Sequence, residues 1–204
     1  MAVLSQSYTC LVNLTRRELS SEHWVGTTVL PAELLPDRDA FERLWAMRPD
    51  EFPVIKMHGR DVKTPRWYRA YGHAYVFSGQ VSEASLLPEN LGPFLAWAQG
   101  TIDERLNGLL VNWYDGALKH YIGRHRDSRH GLQPDSPIVT VSLGASRVLR
   151  VRPWKGAGVH DFPVGDGSVI VLPYATNLAF THEVLHTSAA SGRRISLTFR
   201  AFTS

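Results

Sequence analysis

After Gly108 the chain divides into six short apolar or β-branched runs: Leu109–Tyr114, Ile138–Leu143, Val148–Val151, Ser168–Leu172, Asn177–His182 and Ile195–Phe202. Gly, Pro, Asp and Asn separate them. Runs of roughly four to eight residues bounded by turn formers suit strands, because helices in globular proteins usually need ten residues or more. Six such runs in succession point to a sandwich or jelly roll. The first half has a different texture. Asp39 is placed to cap a helix through about Met47, with Phe41, Leu44 and Trp45 on one face. From Glu89 to Leu106, Leu91, Phe94, Leu95, Ala98, Ile102 and Leu106 form a helical stripe, weakened by Gly92, Pro93 and Gly100. Helices first and strands later predict an α+β fold, the helices bracing one sheet. At 204 residues, 44% of them hydrophobic, the chain suits a single domain spanning 1–204 with one sizeable core.

Net charge is only +3, but it is unevenly spread. Lys119 to Lys155 holds eight basic residues against Asp127 and Asp135, a local +6, and Lys56 to Arg69 holds five against Asp61, a local +4, which leaves −7 for the remainder. Two basic clusters on a nearly neutral chain suit a polyanion site. Cys10 is the single cysteine, so no intrachain disulfide can form and a reducing compartment is permitted. Met1–Leu14 lacks a signal-peptide pattern, and no stretch reaches the ~18 apolar residues of a spanning helix. The expectation is a soluble intracellular monomer, cytoplasmic or nuclear, with no membrane partner.

His125-Arg126-Asp127 carries the first chemistry. On a strand, residues i and i+2 share a face and can meet one ion. An imidazole and a carboxylate joined by a distant second imidazole form the facial triad of non-heme Fe(II) oxygenases. His160, His182 and His186 are the candidates for that second imidazole. His182 is preferred, because it ends an apolar run just before the last strand; His186 is the fallback. A rival exists: His182-Glu183-Val184-Leu185-His186 spells the zinc-protease pattern H-E-x-x-H. That chemistry needs both imidazoles on one helix face and a third ligand. The flanks lack helical periodicity, and no Asp, Glu or His follows His186, which counts against it.

Arg194-Ile195-Ser196-Leu197-Thr198-Phe199-Arg200 alternates without a break. Arg194, Ser196, Thr198 and Arg200 take one face; Ile195, Leu197 and Phe199 take the other. Buried guanidiniums require partners, and a dicarboxylate such as 2-oxoglutarate answers two of them. Asn112 and Tyr114, also two apart, can add an amide and a hydroxyl to the same ligand.

In this order, Asn112-x-Tyr114-x-Gly116, His125-x-Asp127, Pro137-Ile138-Val139-x-Val141-Ser142-Leu143-Gly144, Gly167-Ser168, His182 and Arg194-x-Ser196-Leu197-Thr198-Phe199-Arg200 resemble the AlkB dioxygenases from about Lys56 to Phe202. The resemblance implies a double-stranded β-helix over 108–204, an N-terminal extension and helix to about 55, and a substrate-recognition lid over 56–80. It makes His125, Asp127 and His182 the Fe(II) ligands, and gives 2-oxoglutarate to Asn112, Tyr114, Arg194, Ser196 and Arg200, with O₂ as the other co-substrate. It implies oxidative demethylation of alkylated DNA or RNA bases. Pro65-Arg66, Tyr71-Gly72 and Tyr75-Val76-Phe77-Ser78-Gly79 resemble the segment that holds a flipped base, with Tyr75 and Phe77 as stacking faces and Arg66 on phosphate or base.

Three positions depart from the family pattern. Ser196 stands where many members have Asn. His58, at an expected hairpin tip, stands where a DNA-acting relative has an apolar wedge, which predicts single strands over duplexes. Arg129 stands where base-repairing relatives carry an acid, which predicts a neutral rather than a cationic base. The alternatives are the same chemistry on a protein or small metabolite, and a cupin-like binding module without turnover.

Overall fold

A computed structural model describes residues 13–57, 59–77, 80–186 and 192–203. In chain order the first half forms β1 (Thr15–Glu18), β2 (Trp24–Val29), α1 (Arg38–Ala46), β3 (Val54–Met57), β4 (Arg60–Lys63), β5 (Trp67–Tyr71), β6 (Tyr75–Phe77), β7 (Gln80–Ser82), β8 (Ala84–Ser85) and α2 (Gly92–Thr101). The second forms β9 (Gly108–Asp115), β10 (Ile122–His125), β11 (Ile138–Gly144), β12 (Arg147–Pro153), β13 (His160–Val164), β14 (Ser168–Leu172), α3 (Tyr174–Ala179), β15 (Phe180–Val184) and β16 (Arg193–Arg200). An eight-stranded sheet runs β1-β2-β14-β11-β16-β9-β5-β8, and a four-stranded sheet runs β10-β15-β12-β13. The hairpins β3-β4 and β6-β7 stand outside both. This is the expected jelly roll, a double-stranded β-helix.

Alternation along each central strand divides the core into two layers. Val139, Val141 and Leu143 of β11, Val169 and Val171 of β14 and Ile195, Leu197 and Phe199 of β16 pack with Leu44 and Trp45 of α1 and with Phe94 and Ala98 of α2. Their neighbours Ile138, Ile170 and Leu172 point the other way, against Val151, Phe162, Val164 and Phe180 of the smaller sheet. The helices therefore brace one face of the large sheet, and the polar face of β16 looks into the space between the sheets.

Four expectations are corrected. α1 is capped by Asp37, whose carboxylate accepts from the Ala40 amide at 2.7 Å; Asp39 sits in the first turn, where acids also favour the helix N-terminus. α2 stops at Thr101, with a 3₁₀ turn at Glu89–Leu91 before it. Ile102 and Leu106 still reach the core, from the connection rather than from the helix. Asn177–Ala179 is helical rather than strand: Pro173 is the N-cap of α3 and its carbonyl accepts from the Asn177 amide at 3.0 Å. The first half is not purely helical either, since β2 extends the large sheet beside β14 and β5 extends it beside β9.

Gly144 fixes where β16 can begin. Its φ is +80°, and a Cβ there would lie 2.6 Å from the Arg193 carbonyl oxygen. Any side chain would be strained and would push the start of β16 away. No helix among the described residues is long and apolar enough to cross a membrane.

Candidate active site

Antiparallel pairing of β10 with β15 sets His125 directly opposite His182. Their ring centroids lie 4.3 Å apart. Asp127 lies two residues beyond His125, but past the end of β10 rather than on it. Strand pleating therefore does not place it. Asn177 of α3 does, because its amide oxygen accepts from the Asp127 N–H at 3.0 Å and its Nδ2 donates to the Asp127 carbonyl at 3.2 Å. Asp127 Oδ1 is 3.6 Å from His125 Nε2 and 3.9 Å from His182 Nε2. An ion with donor bonds of about 2.0–2.2 Å can bridge such gaps.

Protonation states suit that purpose. Burial, with His182 alongside, brings the His125 pKa down to about 3, and burial lowers His182 as well. Both rings are therefore neutral near pH 7. His125 Nδ1 donates to the Gly123 carbonyl at 2.8 Å, so its Nε2 turns a lone pair toward Asp127. Burial alone would raise the Asp127 pKa, yet the Arg200 guanidinium holds it well below the usual carboxylate range. Two neutral imidazoles and one carboxylate fit a divalent iron ion.

His160 and His186 do not join them. His160 begins β13, and His186 stacks on Tyr121 with ring centroids 3.6 Å apart. Because His182 and Glu183 are successive residues of β15, they face opposite ways, and the zinc-protease alternative fails.

A cavity between the sheets runs from His125 and His182 to Arg194. Arg66, Asn112, Tyr114, Ser196, Thr198 and Arg200 also line it. Arg200 bonds Asp127 Oδ2 through Nε at 2.9 Å and Nη2 at 2.7 Å, so it has a carboxylate partner within the protein. Arg194 has none. Its Nε and Nη2 donate to Ser142 Oγ, its guanidinium lies over the Tyr114 ring at 4.9 Å, and its buried Nη1 has no hydrogen-bond partner among the described residues. Arg66 Nε donates to Asn112 Oδ1 at 2.7 Å, with no carboxylate beside it among the described residues. Among the described residues at this cavity, the guanidiniums of Arg66, Arg194 and Arg200 against the Asp127 carboxylate leave an excess of two positive charges, which a dianion with two carboxylates neutralises. 2-Oxoglutarate fits that requirement.

The residues expected to meet substrate are differently placed. Arg66 is buried on Asn112 and is not available at the surface for phosphate. Tyr75 is buried too. Its hydroxyl donates to Asp127 Oδ1 at 3.1 Å, and Arg200 covers its ring at 4.6 Å. It thus supports the Asp127 carboxylate rather than offering an open stacking face. β6 includes Phe77, but the Phe77 side chain and all of His58 lie outside what is described. Arg129 is exposed beside the metal residues. Sequence reasoning missed the roles of Asn177, Ser142 and the Tyr75 hydroxyl; the H-x-D pattern gives no sign of which groups will hold its carboxylate.

Tyr75→Phe keeps the ring and removes the donor to Oδ1. Loss of a group that supports a ligand typically costs ten- to a hundredfold in metal affinity. We expect a weakening of about tenfold, read by Mn(II) titration in the absence of turnover. Unchanged affinity would show that the hydroxyl has no hold on Asp127.

Comparison with known proteins agrees with this geometry. Residues 51–200 match the family model described as the 2OG-Fe(II) oxygenase superfamily. The human (Homo sapiens) DNA oxidative demethylase ALKBH2 is 30% identical over 161 residues, covering 72% of this chain and 60% of that protein. Its mouse (Mus musculus) counterpart is 31% identical over 161 residues, covering 72% of this chain and 65% of that protein. The chain thus spans somewhat under two thirds of these relatives' length. The structure of OsALKBH1 superposes with a TM-score of 0.55 at 14% identity, covering 85% of this chain and 97% of that chain, a likeness that concerns the fold alone.

Proposed function

The chain belongs to the 2OG-Fe(II) oxygenase superfamily, and on that footing we propose that it is a dioxygenase that oxidatively demethylates alkylated nucleic-acid bases. The observation that carries the reading is the pairing of the His125, Asp127 and His182 cluster with a cavity two positive charges in excess. Relatives of the DNA oxidative demethylase ALKBH2 type support the substrate class.

In this reading His125, Asp127 and His182 hold Fe(II), and Arg194, Ser196, Asn112 and Tyr114 hold 2-oxoglutarate. When bound, the iron and its co-substrate supply activation of O₂ and hydroxylation of an alkyl carbon, with succinate and CO₂ released. Arg200 and Tyr75 fix the two oxygens of Asp127, so the carboxylate keeps one orientation through turnover. Asn112, beside Ser196 on the same sheet as Arg194, joins Arg66 in orienting the co-substrate along the cavity. The apolar lining from Ile138, Leu149, Val151 and Ile170 excludes water from the reacting side. A hydroxymethyl left on a ring nitrogen departs as formaldehyde.

Residues 56–80, with the hairpins β3-β4 and β6-β7, serve as the recognition lid. The substrate is a single strand of DNA or RNA, since a histidine at position 58 makes a poor wedge for opening a duplex. Exposed Arg129 beside the metal residues repels a cationic base and favours a neutral one. The protein acts as an intracellular monomer.

Matched oligonucleotides test this. We expect formaldehyde and succinate from a neutral alkylated base in single strands at a rate several-fold above that for 3-methylcytosine, and affinity that falls as salt rises. Absence of formaldehyde from every methylated DNA and RNA oligonucleotide, with no binding at low salt, would redirect the assignment to a protein or metabolite substrate.

A further inference from the structure

A second depression opens to solvent from the metal residues His125 and Asp127. Arg124, Arg126, Arg129 and Trp154 line it. Trp154 follows β12 directly, and its backbone amide donates to the Ala179 carbonyl at 2.8 Å, which anchors the residue where α3 meets β15. Even so, 51% of it is exposed. The guanidinium of Arg126 lies 4.1 Å from the ring centroid, and its Nη1 donates to the Leu178 carbonyl at 2.8 Å. The indole is therefore propped from one side by a cation that is itself tied to the backbone. A large aromatic surface left in water and held in a fixed orientation has the form of a binding face rather than of core packing.

The charges around it point to the ligand. Among the described residues Arg124, Arg126 and Arg129 form no ion pair, and Lys155 adds a fourth cation next to Trp154. Asp127, the carboxylate in the depression, is committed to Arg200. Arg124 is held by Thr181 Oγ1 and the Pro153 carbonyl, neither of which offsets its charge. Unpaired cations interleaved with an exposed indole bind single-stranded nucleic acid, with phosphates on the guanidiniums and a base on the ring. An acidic peptide would satisfy the cations and leave the indole without a partner.

We propose that Trp154, propped by Arg126, is the platform on which the base neighbouring the reacting one stacks. Arg126, Arg129 and Lys155 take the adjoining phosphates. The inference rests on the nucleic-acid reading above and adds to it the path by which the strand leaves the metal centre. His125, Asp127 and Trp154 line one depression, so a strand that brings a base to the triad can lay a neighbouring base on the indole.

The test is binding of a short, unmodified, fluorescein-labelled single-stranded DNA to the intact protein, followed by anisotropy across a salt series. Trp154→Ala should weaken binding about tenfold, within the range that stacking of one base contributes. Trp154→Phe should recover most of the loss, because a smaller ring still stacks. Arg126→Gln should lower the salt slope by about one phosphate contact. Thermal melts that coincide with wild type exclude unfolding as the cause. If Trp154→Ala binds like wild type while the wild-type protein demethylates methylated oligonucleotides, the platform is wrong and the substrate class stands. If wild type neither binds DNA nor demethylates any oligonucleotide, both fall. If polyglutamate competes as strongly as DNA and Trp154→Ala changes neither, the surface belongs to an acidic protein partner and the platform is overturned.

Discussion

Asp127→Ala should reduce Fe(II)-dependent succinate formation to background. The loss should exceed the ten- to hundredfold typical of removing a residue that only supports a ligand. The substitution takes away the anionic member of the triad and strands Arg200, whose hydrogen bond and ion-pair contact with Oδ2 have no substitute. Breaking a buried ion pair from one side costs on the order of 3–5 kcal/mol, so the metal-free variant should also melt at lower temperature than wild type. Asp127→Asn separates the two effects. Its amide oxygen can still accept from Arg200, so part of the stability should return, the guanidinium charge remaining uncompensated, while the anionic donor stays lost. Succinate release, Mn(II) affinity and a thermal melt on all three proteins read the outcome. Near wild-type turnover in Asp127→Ala would falsify the triad.

Arg194→Ala should raise the 2-oxoglutarate concentration needed for half-saturation by roughly ten- to a hundredfold, since a charge-assisted hydrogen bond is worth about 1.5–3 kcal/mol. Arg194→Lys should recover part of this, because it keeps the charge without the planar fork. The natural control is adjacent. Arg193 begins the same strand but is exposed, pairs with Glu42 at 2.8 Å and lies over Trp45. Arg193→Ala should leave the co-substrate requirement unchanged. Direct calorimetric titration with 2-oxoglutarate separates binding from turnover. Equal affinity in Arg194→Ala and wild type would mean that the unpartnered Nη1 is not the anchor.

The strands were readable where one face of each is apolar and the other polar or differently packed. β16 is the clearest case, because its alternation reports both the core it packs on and the cavity it lines. β9 and β11 read as nearly continuous apolar runs, and both are covered on two sides. α3 was not legible. A six-residue helix ending in Leu178-Ala179 and running straight into Phe180 has no room to show a helical period. The choice between Asp37 and Asp39 as cap turns on backbone geometry that two nearby acids do not reveal.

The site divides in the same way. His125, His182 and Arg194 follow from strand position. Asp127 follows from spacing to His125, although the spacing is not what orients it. Tyr75 and Arg66 have sequence signatures of substrate contact and structural positions inside the protein. Alternation shows on which face a side chain lies, whereas its partner depends on elements distant in sequence: Tyr75 and Asp127 are 52 residues apart, and Arg66 and Asn112 are 46 apart. Trp154 carried no signal beyond being one aromatic in a loop of Pro, Lys and Gly.

One strand serves two incompatible solvents. Seen from α1 and α2, β16 is hydrocarbon; seen from the cavity, it is a row of cations and hydroxyls. Its pairing to β9 is unbroken along its length, and its pairing to β11 is unbroken from Arg194 to Phe199. Gaining or losing a single residue within it would turn Arg194 or Arg200 toward the helices and bring Ile195, Leu197 and Phe199 to the iron side. Divergence among chains built this way can therefore replace letters on the last strand one at a time, but cannot change their number. Length variation is left to places such as the turn between Pro153 and His160, where an added residue alters the rim and leaves the reading frame of the interior intact.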